Sequence, residues 1–191
     1  MIEMKAFDLD SDGKIDLNRV YERPDPRAYY QTLSRLDYQI PAAAEPLFRK
    51  TIRALRQSRQ SRRVTMLDVV SSYGVNAAIL KHRYSLPGLF DLYGREATAA
   101  VASPEALLGR DRALFDGPRS DASLVAVGLD ASDDAIAYAT EAGIIDSGIA
   151  ANFEERDPTG AEAEALAPVD LVVSTGAIGY VDAPTFERIV G

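Results

Sequence analysis

Cysteine is absent from the 191 residues and histidine occurs once, at His82. No disulfide, thiolate metal site or cysteine nucleophile can therefore form, which fits a reducing cytosol. A single imidazole argues against a histidine-built metal centre or a serine-protease-like triad, so no metal is expected. No window reaches the roughly 18 consecutive apolar residues of a membrane span. The opening MIEMKAFDLDSDGK is too acidic for a signal peptide. The chain thus reads as cytoplasmic, without a membrane partner. Low-complexity tracts and internal repeats are also missing.

What is present is a chain of one-domain length, 47% hydrophobic, able to bury a sizeable core. Its formal charge of −8 is uneven. Residues 1–63 carry 13 Lys/Arg against 9 Asp/Glu, and residues 64–191 carry 8 against 20. A mildly basic arm therefore precedes an acidic body, which is a poor nucleic-acid platform because phosphate contacts dominate such affinity.

In the arm, Asp8, Asp10, Asp12 and Gly13, followed by Ile15 and Asp16, match the first half of a calcium loop. Arg19 stands where the loop's bidentate glutamate belongs, so the segment reads as a solvated acidic turn. Residues 21–48 hold Tyr21, Tyr29, Tyr30 and Tyr38 among four prolines, a stretch extended or broken into short helices. These tyrosines suit the mouth of a pocket, or they simply pack the arm onto the domain. A helix is expected from Pro46 to Arg63, with Leu47, Ile52 and Leu55 as its apolar residues. Its many arginines read as a solvated face, and its tail QSRQSRR as a linker.

The body begins with Val64–Val70, a β-branched and apolar run that suits a strand covered on both faces. Ser71-Ser72-Tyr73-Gly74 turns the chain into a helix marked by Val75, Ala78, Ile79 and His82. Residues 83–123 form a helical insertion, with Ser103 as an N-cap before Pro104. Leu124–Leu129 is the second strand, ending in Asp130, and Ser132 caps the helix after it. Ile149–Asn152 is a short third strand followed by Phe153. Thr159–Ala167 is a small helix, and Val169–Ser174 a fourth strand running into Thr175-Gly176. Asp182–Val190 is the last helix.

The order strand–SSYG–helix, strand–Asp130, strand–Asn152-Phe153, strand–STGAIGY resembles the class I (Rossmann-like) S-adenosylmethionine-dependent methyltransferases over residues 64–182. The resemblance implies an α/β fold, a three-layer Rossmann-like parallel sheet (64–191), with an N-terminal arm or lid (1–63) and the insertion 83–123. In that family the first strand runs into D-x-G-x-G-x-G. Here Asp68 and Gly74 keep the pattern, while Val70 and Ser72 replace two glycines. Val70 is then expected to turn its side chain away from the ligand. The resemblance implies a cofactor site of Asp68, Ser71, Ser72, Tyr73, Gly74, Asp130, Asn152, Phe153 and Thr175. Asp130 would accept from both ribose hydroxyls, and Asn152 and Phe153 would flank the adenine.

The implied activity is O- or N-methyl transfer from S-adenosyl-L-methionine to a small-molecule acceptor, with no catalytic base assigned. His82 reads as structural, and Tyr180 and the arm tyrosines are candidates to line the acceptor site. Two other readings stand beside it. One is a non-catalytic or fragmentary Rossmann-like nucleotide-binding module. The other is an NAD-binding oxidoreductase, which expects a G-x-G-x-x-G that this chain lacks. Family members continue to further strands, so the sheet is expected to stop after its fourth. Its edge would then be covered by the arm, a second copy or a partner chain.

Overall fold

The computed structural model describes residues 20, 23–82, 84–117, 121–177 and 179–191. The acidic segment 8–19 and Tyr21 lie outside the described residues. Four parallel strands form one sheet in the order β3-β2-β1-β4. They are β1 Val64–Val69, β2 Leu124–Asp130, β3 Ser147–Ala150 and β4 Leu171–Ser174. This is the order of the first four strands of a doubly wound α/β sheet. Every residue of β1 is buried, as a central strand with both faces covered requires.

Two hydrophobic layers enclose the sheet. On one side Val64 and Met66 of β1, Leu124 and Ala126 of β2 and Val173 of β4 share a core. The arm, the insertion, α3 (Val75–Leu80) and α7 (Asp133–Glu141) complete that layer. On the other side Leu67, Val69, Val127, Leu129 and Ile149 pack with Phe153 and with Leu166 of α8 (Gly160–Leu166). Ile189 of α9 (Ala183–Val190) joins them. The alternation of Met66 and Leu67 between the two layers is the period of two expected of a strand.

The arm differs from its expected form. Its helices are α1 (Arg27–Arg35) and α2 (Ile40–Arg59), so the long helix starts earlier and ends sooner than Pro46–Arg63. Pro41 sits in the first turn, where a missing N–H costs nothing, and Gln60 at φ 50° ends the helix. Leu47 is 63% exposed, whereas Ile52 is buried. Nor is the basic face merely solvated. Arg49 donates to the carbonyls of Ile79 (2.7 Å) and Leu80 (3.3 Å) at the end of α3. Arg56 makes a bidentate pair with Asp121 (2.8 and 3.0 Å), and Arg59 pairs with Asp170 just before β4.

The insertion forms α4 (Leu86–Tyr93), α5 (Arg95–Thr98) and α6 (Pro104–Phe115), the last capped by Ser103 as expected. An aromatic cluster joins it to the arm. Tyr30 of α1 stacks on Tyr93 at 4.5 Å with the rings 5° apart. The hydroxyls of Tyr93 and Tyr138 both donate to the buried carboxylate of Asp111, at 2.6 and 2.7 Å. Burial raises the pKa of both phenols, so they keep their protons and remain donors. His82 is buried too, with Nε2 3.2 Å from the Ile144 carbonyl and its ring edge-on to Phe115.

Candidate functional site

Strand register decides where the site lies. Val69 pairs with Leu129 and Ser174, and Asp130 pairs with Ala150. The four strands therefore end at one level, and the residues that follow meet at the carboxyl edge. A cavity of about 380 Å³ opens there, a size that suits a small ligand. Val70 and Ser72 after β1, Asp130 at the end of β2, Asn152 and Phe153 after β3 and Thr175 after β4 all line it. Tyr29, Leu33, Leu36 and Tyr38 close it from the arm.

The turn after β1 has an uncommon backbone. Val70 (φ 60°), Ser72 (φ 48°) and Gly74 (φ 77°) alternate in the left-handed region. Glycine enters this region freely, but a β-branched valine there is strained by about 1–3 kcal/mol. These are the three positions that hold glycine in D-x-G-x-G-x-G. The left-handed backbone at two of these positions is thus formed without glycine. Val70 borders the cavity and packs against the second core.

Asp130 holds this turn. Its Oδ2 accepts from the Ser72 amide at 2.8 Å and its Oδ1 from the Ser132 amide at 2.9 Å. Burial raises its pKa, opposed by these amide hydrogen bonds. Each carboxylate oxygen has two acceptor sites, so capacity for two further donors remains. The Ser72 hydroxyl is buried beside it with no partner among the described residues. An unsatisfied hydroxyl on a cavity wall is a feature that a polar ligand group would resolve.

Asp68 lies one layer deeper. It is fully buried, and its Oδ1 accepts from the Asn76 amide at 2.9 Å while Oδ2 has no partner among the described residues. Desolvation pushes its pKa up to about 7. Asn76 also donates to Thr175 Oγ1 at 2.9 Å, which ties β1, α3 and β4 together below the cavity. The hydroxyl of Tyr38, from the arm, lies over the next residue, Gly176. Gly176 has φ 73°, and a Cβ there would come within 2.3 Å of the Tyr38 hydroxyl.

Of the nine residues expected to hold a cofactor, Ser72, Asp130, Asn152, Phe153 and Thr175 line the cavity. Asp68, Ser71, Tyr73 and Gly74 are not in its lining. Tyr73 is fully buried, donates to the Arg23 carbonyl at 2.7 Å and packs edge-on to Tyr138. Gly74 starts α3, where a side chain would meet Ile144 at 2.7 Å. Ser71 spans the turn through its amide to the Leu129 carbonyl (3.1 Å) and its carbonyl to the Gly74 amide (2.9 Å). Asn152 turns the chain inside its own loop, accepting from the Glu154 amide and donating to Glu155, both at 3.0 Å.

Asn76 was not expected at the site. Its one sequence signal is a polar residue within an otherwise apolar helix, VNAAIL. Tyr180 lines the cavity, together with Val181 and Thr185. Among the described residues no helix is long and apolar enough to cross a membrane. In comparison with known proteins, no family model, no curated protein and no solved structure matches the chain.

Proposed function

We propose that the chain binds S-adenosyl-L-methionine at this cavity and transfers its methyl group to the oxygen or nitrogen of a small-molecule acceptor. The observation that carries this reading is the left-handed backbone at Val70, Ser72 and Gly74, kept at the cost of a strained valine beside a cavity lined by four strand ends. Strain of this kind persists where surrounding structure enforces it, commonly at ligand sites. The residues present fit the cofactor. Asp130 has acceptor capacity for two ribose hydroxyls, the Ser72 hydroxyl awaits a polar partner, and Phe153 offers an apolar wall. The bound cofactor supplies a methyl group already activated on a sulfonium, so the chain's own task is to orient it and exclude water.

The dinucleotide reading is less well supported. A pyrophosphate needs the free amides of a helix N-terminus. In α3 those amides belong to residues 74–76, which are buried and absent from the cavity lining. A binding-only module is favoured by one observation, that Asp130 and Asn152 already satisfy backbone amides. Calorimetric titration of S-adenosylmethionine and S-adenosylhomocysteine, with NAD as control, tests the cofactor. Both adenosyl compounds should bind and NAD should not; the reverse order overturns the reading. A methyl-transfer assay then separates an enzyme from a binding module.

A further inference from the structure

The charge of the cavity wall bears on what else can enter. Among the described residues its lining carries a single formal charge, the carboxylate of Asp130, and no Lys, Arg or His. Asp68 adds a second carboxyl behind Asn76 and Thr175. What the arm contributes is aromatic and aliphatic, with Tyr38 presenting its hydroxyl at the β4 end. Burial and the nearby Asp68 both raise the Tyr38 pKa, so this group is a neutral phenol.

We infer that the acceptor taken by this cavity is a largely apolar molecule with no net negative charge, and that Tyr38 is a residue it meets. The inference rests on the methyltransferase reading above. A molecule of net negative charge entering this space gives up water and finds a carboxylate with, among the described residues, no cation to offset it. A neutral ring loses nothing by that exchange and gains apolar contact with Tyr29, Leu33 and Leu36. A cation is tolerated or favoured, because carboxylates and tyrosine faces both attract it. The Tyr38 phenol, lying over Gly176 on the cavity wall, can serve an acceptor hydroxyl or amine as donor or acceptor.

The test uses the absence of tryptophan from the chain, which leaves indole fluorescence free of protein background. Tryptamine, 3-methylindole and indole-3-acetate share one ring and differ in charge. Each is titrated at low salt into the full chain saturated with S-adenosylhomocysteine. The cationic and neutral probes should bind at least about tenfold more tightly than the anion, roughly 1.4 kcal/mol. Tyr38→Ala should weaken both by several-fold with the S-adenosylhomocysteine affinity unchanged, and Tyr38→Phe should keep the affinity of 3-methylindole. Equal or tighter binding of indole-3-acetate, or no binding of any probe, overturns the inference. Loss of S-adenosylhomocysteine binding in calorimetry, with the charge order intact, overturns the cofactor reading alone and leaves the class of molecule standing.

Discussion

The amide of Ser72 donates to Oδ2 of Asp130 at 2.8 Å, so the end of the second strand holds the turn that follows the first. One carboxylate both shapes the turn and faces the cavity, and its structural and binding roles need separating. Asp130→Ala leaves the amides of Ser72 and Ser132 without an acceptor, at a cost of about 1–3 kcal/mol. Relief of the desolvation that raises the Asp130 pKa offsets part of that loss. Asp130→Asn keeps one acceptor oxygen and should be the milder change in urea denaturation. Both should weaken S-adenosylhomocysteine in calorimetry. Full affinity in a folded Asp130→Asn chain would show that this carboxylate serves the turn alone.

Asp68 gives the fold a pH dependence. Burial moves its pKa from 3.8 to about 7. Between these values the folded chain keeps a proton that the unfolded chain has released. Stability therefore falls as pH rises through that window and levels off above it. Asp68→Asn removes the dependence while retaining an oxygen for Asn76. The variant should match the wild type near pH 4 and exceed it by roughly 3–4 kcal/mol near pH 8. Urea midpoints measured across that range decide it, and parallel curves for the two chains would refute the assignment.

Val70→Gly tests the strained turn. A valine-to-glycine change at a packed site ordinarily costs about 2 kcal/mol or more. Here, relief at φ 60° opposes the lost packing and the added freedom of the unfolded chain. The net change in stability should stay within about 1 kcal/mol. Removing the side chain also clears the cavity wall, so S-adenosylhomocysteine should bind more tightly. Weaker binding would mean that Val70 contacts the ligand productively.

The arm's attachment rests on a few arginines. Arg49→Met removes the donors to the Ile79 and Leu80 carbonyls and should cost about 1–2 kcal/mol. Arg53→Ala, on the exposed side of α2, should stay within about 0.5 kcal/mol. Urea denaturation compares the two. Equal effects would return the basic helix to a solvated role.

These residues also mark how far the sequence can be read. Strand ends were legible because β-branched runs stop at small or polar residues, which placed Asp130 and Thr175 at the carboxyl edge. The left-handed backbone at Val70 and Ser72 is not legible in the sequence, because side-chain identity does not reveal a turn held by Asp130 from another strand. The prolines of the arm read as helix breakers, yet Pro41 occupies a first turn that tolerates it. Arg49, Arg56 and Arg59 looked solvated because their acceptors lie on distant segments. Tyr38 carried only its amphipathic character, and its partner is supplied by tertiary packing alone.

That partner is Gly176, and the pair yields a direct test of the arm as a cover. Gly176 is at φ 73°, where an L-residue costs about 1–2 kcal/mol, and its missing side chain leaves room for the Tyr38 hydroxyl. In Gly176→Ala the new methyl would sit 2.3 Å from that hydroxyl, so Tyr38 must withdraw and take residues 36–39 with it. Arg35, exposed at the end of α1, lies next to this loop and offers trypsin a cleavage site. Limited trypsinolysis at Arg35 should quicken in Gly176→Ala while the sheet remains intact. Combining it with Tyr38→Ala removes the clash, so the two changes should be non-additive by about 0.5–2 kcal/mol in urea denaturation. Additive costs and an unchanged cleavage rate would show that Tyr38 does not hold the loop over the strand ends.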